Sequence, residues 1–70
     1  SAASDGYKRQ RRYRLQGAAY AVAAQRATGL PVRRVLLCFL ATDGATEVEV
    51  DDLAGAMDEV TSIARDLAGA

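Results

Sequence analysis

The sequence predicts an α+β fold in the order α-β-β-α, in which an antiparallel hairpin covered by two helices belongs to a larger mixed sheet. Two segments with apolar residues three and four positions apart predict helices. Between them lie a continuous apolar run at residues 35–41 and a segment of alternating Glu and Val at 46–50, which predict strands. At 70 residues the chain is one domain at most, or a piece of one.

The basic N-terminus precedes the first predicted helix. Residues 1–12 are expected to form a flexible arm, because Asp5-Gly6 is a turn signal and cations then follow closely. Helix one is predicted over residues 13–28, since Gly29 and Pro31 are typical of a helix end. Its predicted buried stripe is Leu15, Ala18, Ala19, Val22, Ala23 and Arg26. Gly17 costs about 1 kcal/mol relative to Ala inside a helix, so a close neighbour is expected there.

The two strands are predicted at residues 32–41 and 46–50, joined by a turn at 42–45. Strand one is apolar at both its odd and its even positions, which is typical of a strand buried on both faces. Cys38 is interpreted as one of its buried apolar residues. Strand two alternates, with Val48 and Val50 facing inward and Glu47 and Glu49 outward. A two-stranded sheet is marginal alone, so the hairpin is expected to complete its sheet with further strands or a second copy.

Helix two is predicted to start after a cap at Asp51 or Asp52 and to end near Ala68. Its apolar residues form one face, with Val60 and Ile63 at the centre; the set is Leu53, Ala56, Met57, Val60, Ile63, Ala64 and Leu67. Adjacent carboxylates at Asp51 and Asp52 are a weak metal signal, and the helix-cap interpretation is preferred.

Composition excludes several classes of function. The chain has no His, which excludes His-containing zinc sites and Ser-His-Asp or Cys-His catalysis within it, and its single Cys excludes an internal disulfide. The longest apolar run has seven residues, against roughly 20 for a membrane span, so no membrane partner and a cytoplasmic setting are expected. Residues 1–34 carry eight cations and one acid, whereas residues 35–70 carry one cation and eight acids. This asymmetry indicates a nucleic-acid-facing side or a charge-paired partner.

One polar pair stands out in helix one. Gln16 and Tyr20 are four residues apart, so they lie on one helix face and can hold a phosphate or a neighbouring side chain. The segment 13–21 resembles the Gln-x-x-x-Tyr motif of RecB-like PD-(D/E)XK nucleases, as in helicase–nucleases of the UvrD, RecB and AddAB type. The order of elements over residues 13–67 is also similar to the C-terminal part of that domain. The resemblance implies a DNA exonuclease module, with DNA and the remainder of a DNA-repair helicase–nuclease as partners.

The family's metal-binding residues have no counterpart here. The resemblance implies Mg²⁺ or Mn²⁺ for the full nuclease, held by an acidic residue and an acidic-x-Lys pair on strands before Gln16. Asp5 and Lys8 are separated by one residue too many for that pair. We therefore predict no catalytic or metal-binding residue in this chain and no nuclease activity for it alone. Gln16 and Tyr20 would lie near the active site, and five cations are predicted to contact DNA: Lys8, Arg9, Arg11, Arg12 and Arg14.

Two other functions fit the same sequence. The chain can be a stand-alone nucleic-acid-binding module with a basic arm, or a dimerisation module whose open strand edge pairs with a second copy. In either case Tyr20 can be a half-buried anchor of helix one and Gln16 an ordinary surface residue.

Overall fold

A computed structural model describes residues 2–69 of the chain, and their side chains from residue 5 onward. Helix α1 spans Ala2–Thr28, strand β1 Leu36–Ala41, strand β2 Gly44–Glu49 and helix α2 Leu53–Ala68. The strands form an antiparallel two-stranded sheet in which Leu36 lies opposite Glu49 and Ala41 opposite Gly44. The predicted order α-β-β-α and the α+β class are therefore confirmed.

The predicted N-terminal arm is helical over residues 2–12, so α1 has 27 residues and begins well before the expected start at residue 13. This stretch contains no Pro and is rich in Lys, Arg and Gln, which are good helix formers, so the Asp5-Gly6 turn signal does not interrupt it. Asp5 lies in the first turn, where a carboxylate is favoured by the helix dipole. Contacts from Arg11 and Arg14 to α2 also hold this half of the helix.

The ends of the elements follow the predicted caps. Gly29 adopts φ 71°, and its N–H donates to the carbonyl of Gln25 at 2.8 Å. Asp52, rather than Asp51, caps α2 by accepting a hydrogen bond from the Gly55 N–H at 3.2 Å. A Cβ on Gly55 would collide with the Asp52 carboxylate, so this glycine makes room for the cap.

The core lies where the sheet, α1 and α2 meet. Its buried members are Ala18, Ala21, Val50, Leu53 and Ala56. Gly17 faces the sheet: a Cβ there would lie 2.9 Å from Val50 Cγ2, which confirms the predicted close approach.

The face of α1 that enters this core differs from the predicted stripe. Ala19, Ala23 and Arg26 are exposed, whereas Ala21, which was not predicted, is buried. Because alanines occur all round this helix, its sequence pattern is nearly uniform, and the close approach at Gly17 selects the face that turns inward.

Strand β1 is covered on one face only. Val35, Leu37 and Phe39 face the helices and are partly buried, whereas Leu36 and Leu40 on the opposite face are 52% and 84% exposed. Cys38 lies on that outer face and is exposed, so its predicted burial is wrong for this chain. Nothing in residues 2–69 covers the outer face.

Regular pairing is shorter for β1 and longer for β2 than predicted. The last hydrogen bond between the strands runs from the Val50 N–H to the Val35 carbonyl at 3.0 Å. Residues 32–34, which were predicted to belong to β1, therefore have no strand opposite them. The turn uses only residues 42 and 43, so Gly44 and Ala45 join β2. Val50 is buried as predicted, while Val48 faces inward but is 44% exposed.

Candidate nucleic-acid interface

Helix α1 presents a row of polar side chains to solvent. Lys8, Arg12, Gln16 and Tyr20 follow one another at intervals of four residues, so they lie along one side of the helix. All four are exposed, and Arg9 lies beside them. At 1.5 Å per residue the row extends about 18 Å along the helix axis. We call these five residues the exposed face of α1.

A shallow depression joins the predicted Gln to the predicted cations. It measures about 420 Å³ and is lined by Lys8, Arg11, Arg12, Leu15, Gln16 and Ala19, all from α1. The long aliphatic stems of the cations and the small apolar side chains form its floor. Guanidinium and ammonium groups donate hydrogen bonds to phosphate oxygens, and the Gln amide can do the same. The surface of the depression is itself mainly apolar, so the donor groups for a phosphate are the ends of the side chains that line it.

Tyr20 lies one turn beyond Gln16 and is 81% exposed. Its ring does not anchor α1 to the core, so the alternative in which Tyr20 is half-buried is wrong. A tyrosine this exposed on a helix has its ring and hydroxyl free for a ligand or for a protein surface that packs on α1.

Arg14 is set apart from the other predicted cations because it faces α2. Its guanidinium donates to the carbonyl oxygens of Asp51 and Asp52 at 3.3 and 3.1 Å, and it lies 3.4 Å from the Glu59 carboxylate. These contacts hold the turn before α2, in which Asp52 adopts the left-handed conformation with φ 48°. Arg14 therefore links α1 to α2.

Arg11 has an intermediate position. It forms an ion pair with Glu59 at 2.7 Å and also lines the depression beside Gln16. Among the described side chains, Lys8, Arg9 and Arg12 have no acidic partner within 4.0 Å. Three of the cations that have no acidic partner among the described side chains therefore lie on the exposed face of α1, and the other three are Arg26, Arg33 and Arg65.

The role of Glu59 was missed by the sequence analysis. The charge asymmetry of the chain predicted some pairing between its halves, but only the packing of α2 against α1 places Glu59 beside Arg11 and Arg14.

No group of three or more acidic or Cys side chains that could hold a metal ion occurs in the described residues. The Mg²⁺ or Mn²⁺ implied by the resemblance therefore has no fitting donor set in this part of the protein. None of the described helices is long and apolar enough to cross a membrane.

Comparisons with family models, curated proteins and solved structures found no match to this chain.

Proposed function

We propose that this chain is the C-terminal portion of a RecB-like nuclease module of a DNA-repair helicase–nuclease, and that it contributes a DNA contact through the exposed face of α1. The observation that carries the proposal is the exposed row on α1. It puts Gln16 and Tyr20 of the nuclease-like motif in line with Lys8 and Arg12, which have no acidic partner among the described side chains.

The row is long enough to follow a nucleic-acid strand. At 3.4 Å per nucleotide along a strand, its length of about 18 Å corresponds to about five nucleotides. Lys8, Arg9 and Arg12 neutralise phosphates, Gln16 donates through its amide, and Tyr20 offers a ring and a hydroxyl at the end of the row. Arg11 contributes from the depression, while Arg14 is assigned to the contact between the helices.

The open outer face of β1 supports the proposal that the chain is part of a larger sheet. Leu36 and Leu40 are apolar and exposed, and the strand edge beside them is unpaired within residues 2–69. In a complete module the remaining strands and helices would cover this surface. The metal and its carboxylate ligands also belong to that remainder, and a cytoplasmic location is proposed with it.

The DNA contact is tested by fluorescence anisotropy of labelled oligonucleotides at several salt concentrations. Affinity should fall as salt rises, and Arg12→Gln should lower the slope of log K against log[salt] by about 0.7–0.9, the value for one phosphate contact. Arg26→Gln is the matched control, because Arg26 is exposed on the same helix about 21 Å further along. Salt-independent binding, or equal effects of both variants, would contradict the proposed contact.

The nuclease context has its own test. The coding sequence upstream of Ser1 should encode a strand with an acidic-x-Lys pair, and Gln16→Ala in the full protein should reduce metal-dependent DNA cleavage. A full protein without those residues, or one in which Gln16→Ala cleaves at the wild-type rate, would remove this part of the proposal while leaving DNA binding to be judged separately.

A second function, self-association, is favoured by the same open surface. Pairing of β1 with β1 of a second copy would give each an antiparallel neighbour and would keep the acidic β2 strands at the outer edges. Sedimentation over a wide concentration range tests it: dimers at micromolar concentration with no DNA affinity favour this function over the first.

A further inference from the structure

A second concave site lies on the other side of α1, between its N-terminal half and the sheet. It measures about 500 Å³, within the usual size range of ligand sites. Tyr7 and Tyr13 on α1 form one wall, and Leu37, Phe39 and Val48 on the inner face of the sheet form the floor. We call this site the aromatic groove.

The groove collects three of the four aromatic side chains of the chain. The rings of Tyr13 and Phe39 are 4.7 Å apart, centroid to centroid, and are inclined at 54°. Tyr7, six residues before Tyr13, is 66% exposed, and Val48 in the floor is 44% exposed. The groove thus presents an aromatic wall and an apolar floor that nothing in the described part of the chain fills.

Most of the charged side chains that line the groove are already engaged in ion pairs. Arg14 is already engaged by Glu59, and Glu49 is paired with Arg34. Asp51 adds an acidic group at one end, where a phosphate would be repelled. Arg11 is paired with Glu59, whereas Arg9 has no acidic partner among the described side chains. The amide of Gln10 on the wall can both donate and accept hydrogen bonds to a ring edge.

Arg9 of the exposed face lines the groove, and Arg11 lines both the groove and the depression beside Gln16. A strand whose phosphates contact Lys8, Arg9 and Arg12 would therefore pass directly beside the opening. We propose that the aromatic groove accepts an unstacked nucleobase from a single-stranded nucleic acid held on the exposed face of α1. This inference rests on the proposed DNA contact of that face.

The geometry requires a single strand. In a duplex the bases are paired and stacked, whereas a single strand can turn a base out of its stack onto an aromatic side chain. Arg11, four residues from Tyr7 on the same side of α1, then lies beside the phosphate while the base enters between Tyr7 and the floor.

The test compares two oligonucleotides with equal numbers of phosphates, an oligothymidylate and its fully abasic counterpart, by fluorescence anisotropy at fixed salt. Stacking of one base predicts that the wild-type chain binds the oligothymidylate about tenfold more tightly than the abasic strand. Tyr7→Ala should abolish this difference without changing the affinity for the abasic strand, and Tyr7→Phe should retain it. Because Tyr7 is 66% exposed, its replacement leaves the fold intact, which circular dichroism checks.

Leu30→Ala provides a matched control, since Leu30 is also 66% exposed but lies beyond the opposite end of α1. It should leave both affinities unchanged. Equal salt-sensitive binding of the two strands by the wild-type chain would overturn the groove assignment while leaving the DNA contact in place. Such equality is also the result expected if the groove instead takes an apolar side chain of a protein. Absence of binding to either strand would overturn both.

Discussion

Replacing Gly17 by alanine tests whether the close packing of α1 on the sheet decides the stability of the fold. In an exposed helix interior this change stabilises a protein by about 1 kcal/mol, because Ala has the higher helix propensity. At Gly17 the new Cβ would lie 2.9 Å from Val50 Cγ2 and 3.3 Å from Val35 Cγ1. Overpacking of this kind costs about 1–3 kcal/mol. The net expectation is a loss of about 1 kcal/mol.

The neighbouring valines have little freedom to relax. Val50 is 7% exposed, and its N–H is hydrogen-bonded to the Val35 carbonyl, so the two residues are held together at the end of the ladder. Moving either one away from α1 would disturb the last bond between the strands. The penalty should therefore exceed the gain in helix propensity.

Gly6→Ala is the matched control, because Gly6 lies in the same helix and a Cβ there would meet nothing within 4 Å. It should stabilise the chain by up to about 1 kcal/mol. Urea denaturation followed by far-ultraviolet circular dichroism measures both variants. The two changes should differ in sign and be separated by about 2 kcal/mol. If Gly17→Ala were as stable as Gly6→Ala, the proximity of α1 to the sheet would be wrong.

Three further outcomes are expected. Leu53→Ala should lower the free energy of unfolding by about 2–5 kcal/mol, because Leu53 is buried. Ile63→Ala should lower it by only about 1 kcal/mol, because Ile63 is 41% exposed, contrary to its predicted central position. Equal melting temperatures for the two variants would contradict this ranking. Arg14→Gln should destabilise the chain by about 1–2 kcal/mol, since it removes hydrogen bonds to the turn before α2, and should leave DNA affinity nearly unchanged. A large loss of DNA affinity with unchanged stability would instead place Arg14 in the DNA interface. The purified chain should not cleave labelled DNA with Mg²⁺ or Mn²⁺; cleavage that is abolished by EDTA and by Gln16→Ala would refute this expectation.

The candidate site was predictable in part from the sequence. Gln16 and Tyr20 lie four residues apart, so they share a face of the helix whatever it packs against. Lys8 and Arg12 continue the same four-residue spacing, because α1 extends back over residues 2–12. The division of those cations was not predictable. Arg11 and Arg14 differ from Arg12 only in the direction in which they leave the axis of α1. The position of α2 determines which of these cations form ion pairs with it.

The aromatic groove was outside the reach of the sequence analysis. Its wall and floor come from residues about 25–40 positions apart, Tyr7 and Tyr13 on α1 and Phe39 and Val48 on the hairpin. Residues 1–12 were expected to be irregular, so Tyr7 had no predicted neighbour. Only the continuation of α1 over the sheet brings the rings together.

The sequence by itself determined the local features of this protein: the order of its elements, the cap at Gly29, and a cap at Asp51 or Asp52. These depend on backbone conformation and on neighbours a few residues away, so short patterns record them. Tertiary structure decided which side of the alanine-rich α1 is buried and which face of β1 stays open. An alanine surface buries similar area at almost any rotation, so the fit of Val50 against Gly17 and the ion pairs of Glu59 choose the orientation.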